Sequence, residues 1–241
     1  MFDRILFPTD GSEGAEAALD LAAALASDHD ATLAVLNVAD TTRDSVIQVQ
    51  GEVVDSLEAE GERIVAAAAE RLRDRGVDVE TEVLQGEPYR TIVDYANSRA
   101  VDVVVMPTRG RTGLERLLLG STTERVLRQS DVPVLTVRPD DATVRYPFED
   151  VLVPTDGSDC AREALEVACG LAAAGGADLH LLSVVDVASL GADVRSEFQV
   201  EALERNAASV LETASTEAGD RGVVVPRGCQ PRAGCSQDGR H

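Results

Sequence analysis

Two stretches of this chain carry residues whose types and spacing could do chemistry. Pro8-Thr9-Asp10-Gly11-Ser12 sets a carboxylate among hydroxyls and a glycine. Pro107-Thr108-Arg109-Gly110-Arg111-Thr112-Gly113 is followed by Leu117-Leu118-Leu119-Gly120-Ser121-Thr122-Thr123. Both read as a nucleotide site, and the chemistry they suit is the holding of phosphate. Gly110 lets the backbone approach an oxyanion closely. Gly120-Ser121-Thr122 opens a helix, whose free N–H groups and positive dipole end attract an anion. The 22 Lys+Arg residues are all arginine. That excludes a Walker-type lysine, a Schiff-base lysine and a kinase-type strand lysine. Phosphate must be held by backbone N–H groups, helix ends and arginine.

Each of these residues also has a plainer reading. Ser121-x-x-Glu124 fits a capping box, Asp10 can simply close its turn, and Gly113 can be a loop position. What favours a site is their convergence. Catalysis has little support: the 3 histidines, His29, His180 and His241, fall outside both stretches. They are expected in a loop, on a strand and at the terminus, and no Ser-His-Asp or metal constellation is visible. Cys160 is expected in the first turn of a helix as an inert thiol, and Cys229 and Cys235 lack a usual zinc spacing. The chain reads as a binding or sensing protein.

Positioning these stretches takes a repeated frame. Shifting the sequence by 146 lays Pro8–Ser12 on Pro154-Thr155-Asp156-Gly157-Ser158, Leu19 on Leu165, and Asp74-Arg75-Gly76-Val77 on Asp220-Arg221-Gly222-Val223. An ungapped register of that length means duplication. In the first copy, strands are predicted at Ile5–Phe7, Thr32–Val38, Val77–Leu84, Val101–Met106 and Val134–Val137. Helices are predicted from a Ser12 cap towards Ser27, over Val53–Arg75 with Gly76 as its stop, from Pro88 to Arg99, and over Ser121–Gln129. Alternating strands and helices imply an α/β fold with a doubly wound parallel sheet. The expected division is a complete domain over 1–139, a linker over 140–147, a partial second copy over 148–225 and a disordered tail over 226–241. The break in register after Val225 suggests a truncated second copy, whose two strands should not be stable alone.

The combination of Pro8–Ser12 with the Gly110 to Gly120-Ser121 segment closely resembles the universal stress protein family, over the whole first copy and part of the second. The resemblance implies a five-strand sheet in order 3-2-1-4-5 and a G-x2-G-x9-G-[S/T] motif in ATP-binding members. It implies Pro8, Thr9 and Asp10 at the nucleotide, with Asp10 on the ribose and Val38 meeting the adenine through its main chain. Gly110, Gly120, Ser121, Thr122 and Thr123 would carry the phosphates of ATP, with magnesium as a candidate companion ion. In that strand order the first and fourth strands flank the topological switch point, outside whose carboxyl ends ligands bind. Pro107 stands where the motif has its first glycine; it has no N–H, and Arg109 and Arg111 bring positive charge nearby. The implied function is an ATP-binding stress-response protein acting through nucleotide-dependent dimerisation or partner binding. A nucleotide-free adaptor and a slow ATPase are the alternatives.

Composition bounds the partners. With 44% hydrophobic but only 3% aromatic residues, the cores must be built from Val, Leu, Ile and Ala. The net charge of −21 repels nucleic acid and anionic membranes. Self-repulsion of that size is screened by salt, which points to a high-salt cytoplasm. No signal peptide or long apolar stretch is present, so a soluble cytoplasmic protein is expected. The short apolar strand Val134-Leu135-Thr136-Val137 lies at the predicted sheet edge, and edges invite pairing. A homodimer through it is expected.

Overall fold

The computed structural model describes residues 2–12, 14–41, 52–108, 119–138, 146–185 and 197–226. The chain divides into two compact units, Met1–Tyr146 and Pro147–His241. Gly110, Arg109, Arg111, Gly113, most of the expected linker, His241, Cys229, Cys235 and residues 227–241 lie outside the described residues.

The first unit runs β1 (Arg4–Pro8), α1 (Ala15–His29), β2 (Thr32–Asp40), α2 (Glu52–Arg73), β3 (Val79–Gly86), α3 (Pro88–Ser98), β4 (Val103–Pro107), α4 (Ser121–Gln129) and β5 (Val134–Val137). The strands are all parallel, in the order β3-β2-β1-β4-β5. This is the doubly wound order expected, and it places β1 beside β4. Side chains alternate across each strand. Leu6, Ala34, Leu36, Val104 and Met106 therefore face α3 and α4, where Tyr89, Ile92, Val93, Ala96 and Val126 cover them. Phe7, on the opposite face, lies at the base of a groove between α1 and α2 that Ala15, Leu19, Ile64 and Ala68 also line. Each fully buried Leu or Val contributes about 1.5–3 kcal/mol relative to leaving it exposed. α2 ends at Arg73, two residues short of the expected Arg75, and Gly76, at φ 78°, closes the turn that follows with its N–H on the Arg73 carbonyl.

Two local expectations are corrected. Ser12 does not cap α1: Gly14 is the N-cap, without a side-chain bond, and Ala15 N–H donates to the Ser12 carbonyl instead. His29 is not in a loop. It is the last residue of α1, and its ring stacks edge-on against Phe2 at 5.0 Å. The helix continues to it because Asp30, at φ 54°, closes the end in the left-handed region with its N–H on the Ala26 carbonyl.

The second unit holds β6 (Asp150–Pro154), α5 (Asp159–Gly175), β7 (Asp178–Leu182) and α6 (Glu197–Asp220). Its two strands pair with Asp150 opposite Asp178, as Arg4 lies opposite Thr32 in the first unit, so the offset of 146 holds in the ladder itself. Val153, Leu165, Ala172, Leu179, Ala214 and Ala218 form its core. Among the described residues of this unit nothing corresponds to α3. Leu152 and Leu182 are accordingly 60% and 36% exposed, whereas their counterparts Leu6 and Leu36 are 0% and 1% exposed.

Candidate functional site

The carboxyl end of β1 leads into a turn held at every residue. The Thr9 N–H donates to the Leu36 carbonyl at 2.8 Å, extending the β1–β2 ladder by one step. The Gly11 N–H donates to Thr9 Oγ1 at 3.2 Å, and the Ser12 N–H to Asp10 Oδ1 at 3.0 Å. Asp10 therefore does close its turn, as its plainer reading has it. The second copy repeats the geometry, with Gly157 N–H on Thr155 Oγ1 at 3.2 Å and Ser158 N–H on Asp156 Oδ1 at 2.9 Å. The Ser158 hydroxyl, then its backbone N–H, hold the Asp156 carboxyl below its ordinary range.

The two copies part at the next step. Ser158 Oγ accepts the Ala161 N–H and caps α5. Ser12 Oγ is buried without a hydrogen-bond partner among the described residues. Ser12, Thr9 and Gly11 rim a groove of about 290 Å³ between α1 and α2, whose smaller counterpart in the second unit is rimmed by Thr155 and Gly157. That groove lies on the helix side of the turn, away from α4.

Among the described residues, two bonds bring the start of α4 to the end of β4. Gly120 N–H donates to the Thr108 carbonyl at 2.7 Å. The Thr123 hydroxyl, on a residue 4% exposed, donates to the Pro107 carbonyl at 3.0 Å. β1 and β4 are adjacent and parallel, so Asp10 and the first turn of α4 crown neighbouring strand ends. Val38 lies two residues past Leu36 on β2, the other neighbour of β1, so its backbone borders the same crest. Pro8, Thr9, Asp10, Gly120, Ser121, Thr122 and Thr123 thus lie at the carboxyl ends of β1 and β4, with Val38 on β2 at the far side of β1. Gly110 is outside the described residues.

The donors differ in detail from the sequence reading. Gly120 spends its N–H on Thr108, and Thr123 its hydroxyl on Pro107. Ser121 is not an N-cap: Gly120 is, at φ −61° and ψ 144°, without a side-chain bond. The capping box with Glu124 is therefore not formed. What α4 presents is the N–H groups of Ser121, Thr122 and Thr123, which precede the first intrahelical bond, Glu124 N–H to the Gly120 carbonyl. Three backbone donors at a helix start suit an anion without lysine. Sequence reasoning missed Asn37, a buried carboxamide whose Nδ2 donates to the Thr9 carbonyl at 2.8 Å. The signal was one polar residue inside the apolar run of β2.

The universal stress protein family model matches residues 1–138 and 147–234. A universal stress protein of Methanocaldococcus jannaschii, MJ0531, is 34% identical over 141 residues, covering 57% of this chain and 83% of the relative. The solved structure of MJ0577 from the same organism superposes with a TM-score of 0.53 at 34% identity, covering 57% of this chain and 96% of that one. The crystal structure of a universal stress protein from Archaeoglobus fulgidus gives a TM-score of 0.69 at 25% identity, covering 92% of this chain and 76% of that one. No helix among the described residues is long and apolar enough to cross a membrane.

Proposed function

The chain belongs to the universal stress protein family, and from that premise we propose that its first unit binds ATP and signals through dimerisation or partner binding in a stress response. The observation that carries this reading is the convergence of the Asp10 turn and the three leading N–H groups of α4 at the β1/β4 switch point. The donor set fits the ligand: phosphate needs N–H donors and a positive dipole end, and α4 supplies both without a lysine. Ser121, Thr122 and Thr123 would hold phosphate through their backbones, Asp10 the ribose, and the Val38 main chain the adenine. Gly110 and the arginines flanking it would close the phosphate side. Magnesium would enter on the phosphates, which supply many of its ligands at such sites. Among the described residues no group of three His, Cys, Asp or Glu side chains is placed to hold a metal. The protein acts in a saline cytoplasm, without nucleic acid or membrane as partner, and pairs with a second copy through β5, an edge strand of the sheet.

The alternative is a nucleotide-free adaptor, favoured by Pro107, which offers no N–H and whose carbonyl is taken by Thr123. Gly120→Val decides between them. Gly120 sits in extended backbone open to any residue, so the variant should fold, and its side chain would fill the space between phosphate and backbone. ATP affinity should fall at least tenfold, roughly the effect of losing one or two charge-assisted hydrogen bonds. Mass spectrometry of the native protein should find retained adenine nucleotide. A folded Gly120→Val chain with unchanged affinity, or a native chain that neither retains nor binds ATP, would overturn the reading.

A further inference from the structure

We propose that Asn37 is the positioning residue of the nucleotide turn, and that Gly61 is the place in α2 that makes room for it. The inference rests on the ATP reading of that turn. Past the end of the β1–β2 ladder Thr9 is held through both of its backbone groups. Its N–H goes to the Leu36 carbonyl at 2.8 Å, and its carbonyl accepts from Asn37 Nδ2 at 2.8 Å. That carbonyl belongs to the peptide plane leading into Asp10. A trans peptide is rigid across six atoms, so a bond to Thr9 O sets the direction in which the Asp10 backbone departs and where its carboxylate can point. Asn37 is 6% exposed, so water does not compete for the bond.

The carboxamide needs space on the α2 side. A Cβ added at Gly61 would lie 2.6 Å from Asn37 Oδ1 and 2.8 Å from Val83 Cγ1. Glycine in a helix interior is unfavourable relative to alanine, and here the close approach requires it. The internal duplication supplies an independent comparison. At the offset of 146, Asn37 becomes Ser183 and Gly61 becomes Ala207. The surrounding frame is retained: Thr155 N–H still donates to the Leu182 carbonyl at 2.8 Å, and Gly157 still lies against Val210 as Gly11 lies against Ile64. The carboxamide and the glycine that accommodates it are thus replaced together.

The double variant Asn37→Ser/Gly61→Ala gives the first copy the packing of the second. In the full chain, ATP and 2′-deoxy-ATP are titrated against wild type and variant, with thermal melts alongside. We expect near-native melting, about tenfold weaker ATP binding, the scale of one buried hydrogen bond, and loss of the preference for ATP over the deoxynucleotide. Equal weakening of both nucleotides with the preference kept would reduce Asn37 to packing and overturn the proposal, as would unchanged affinity. A wild-type chain that binds no ATP removes both this inference and the reading beneath it, and the wild-type arm shows which has failed. If the variant does not fold, the Asn37 side-chain amide of the wild type is followed by NMR. Protection from solvent exchange and a shift on adding ATP support the role; exchange at the rate of an exposed amide, or no shift, overturns it.

Discussion

Replacing Thr123 by valine removes one donor and almost nothing else. The two side chains have nearly the same shape, but valine cannot donate to the Pro107 carbonyl, now met at 3.0 Å by the Thr123 hydroxyl. Proline has no N–H, so this carbonyl is the one backbone polar group at Pro107. Thr123 is 4% exposed, and no solvent stands ready to replace the lost bond. Stranding a buried carbonyl costs about 2 kcal/mol, which lowers the melting temperature of a chain this size by about 4–8 °C. The loss has a local reading too, because among the described residues the Thr123 bond is one of two that seat the start of α4 on the end of β4. ATP affinity should fall with it. The assay can be confined to the first unit: the protein has 3 tyrosines and no tryptophan, and Tyr89, Tyr95 and Tyr146 all lie in Met1–Tyr146. Tyrosine fluorescence on heating therefore follows that unit. Thr123→Ser, which keeps the hydroxyl, should recover most of the loss. A valine variant that melts within a degree of wild type, or a serine variant that melts as low as valine, would refute the reasoning.

Two further outcomes follow from the same structure. Thr136→Pro, in the four-residue edge strand β5, should convert a dimer to a monomer in sedimentation, and a persistent dimer would place the interface elsewhere. Raising potassium chloride from about 0.1 M to above 1 M shortens the screening length from about 10 Å to 3 Å. With a net charge of −21 the melting temperature should rise; an unchanged or lower value would remove self-repulsion as the main electrostatic burden.

What could be read from the sequence was what depends on short range. α4 and β5 have the predicted bounds, because an apolar run and a helix start next to Gly120 are local signals. The duplication was legible because its register has no gap, and it reappears as Arg4 opposite Thr32 and Asp150 opposite Asp178. One error, the expected Ser12 cap, arose where identical local sequence met different continuations. Pro-Thr-Asp-Gly-Ser occurs twice, yet only Ser158 caps its helix. After Ser158 come Asp159 and Cys160, which enter α5 at once; after Ser12 the chain reaches Gly14, a poor helix former, and α1 waits until Ala15. Asn37 was illegible for a different reason. Its partner Thr9 and its neighbour Gly61 lie 28 and 24 positions away in the chain. Only folding shows that a polar residue in β2 serves the turn after β1.

The most direct test of the central claim is calorimetric titration of ATP into the full chain at high salt. The proposed phosphate site is the helix start at Ser121–Thr123, next to the Asp10 turn at the ends of β4 and β1. About one site per chain is expected, the count for one anion-holding helix terminus. Two sites per chain, or none, would contradict it.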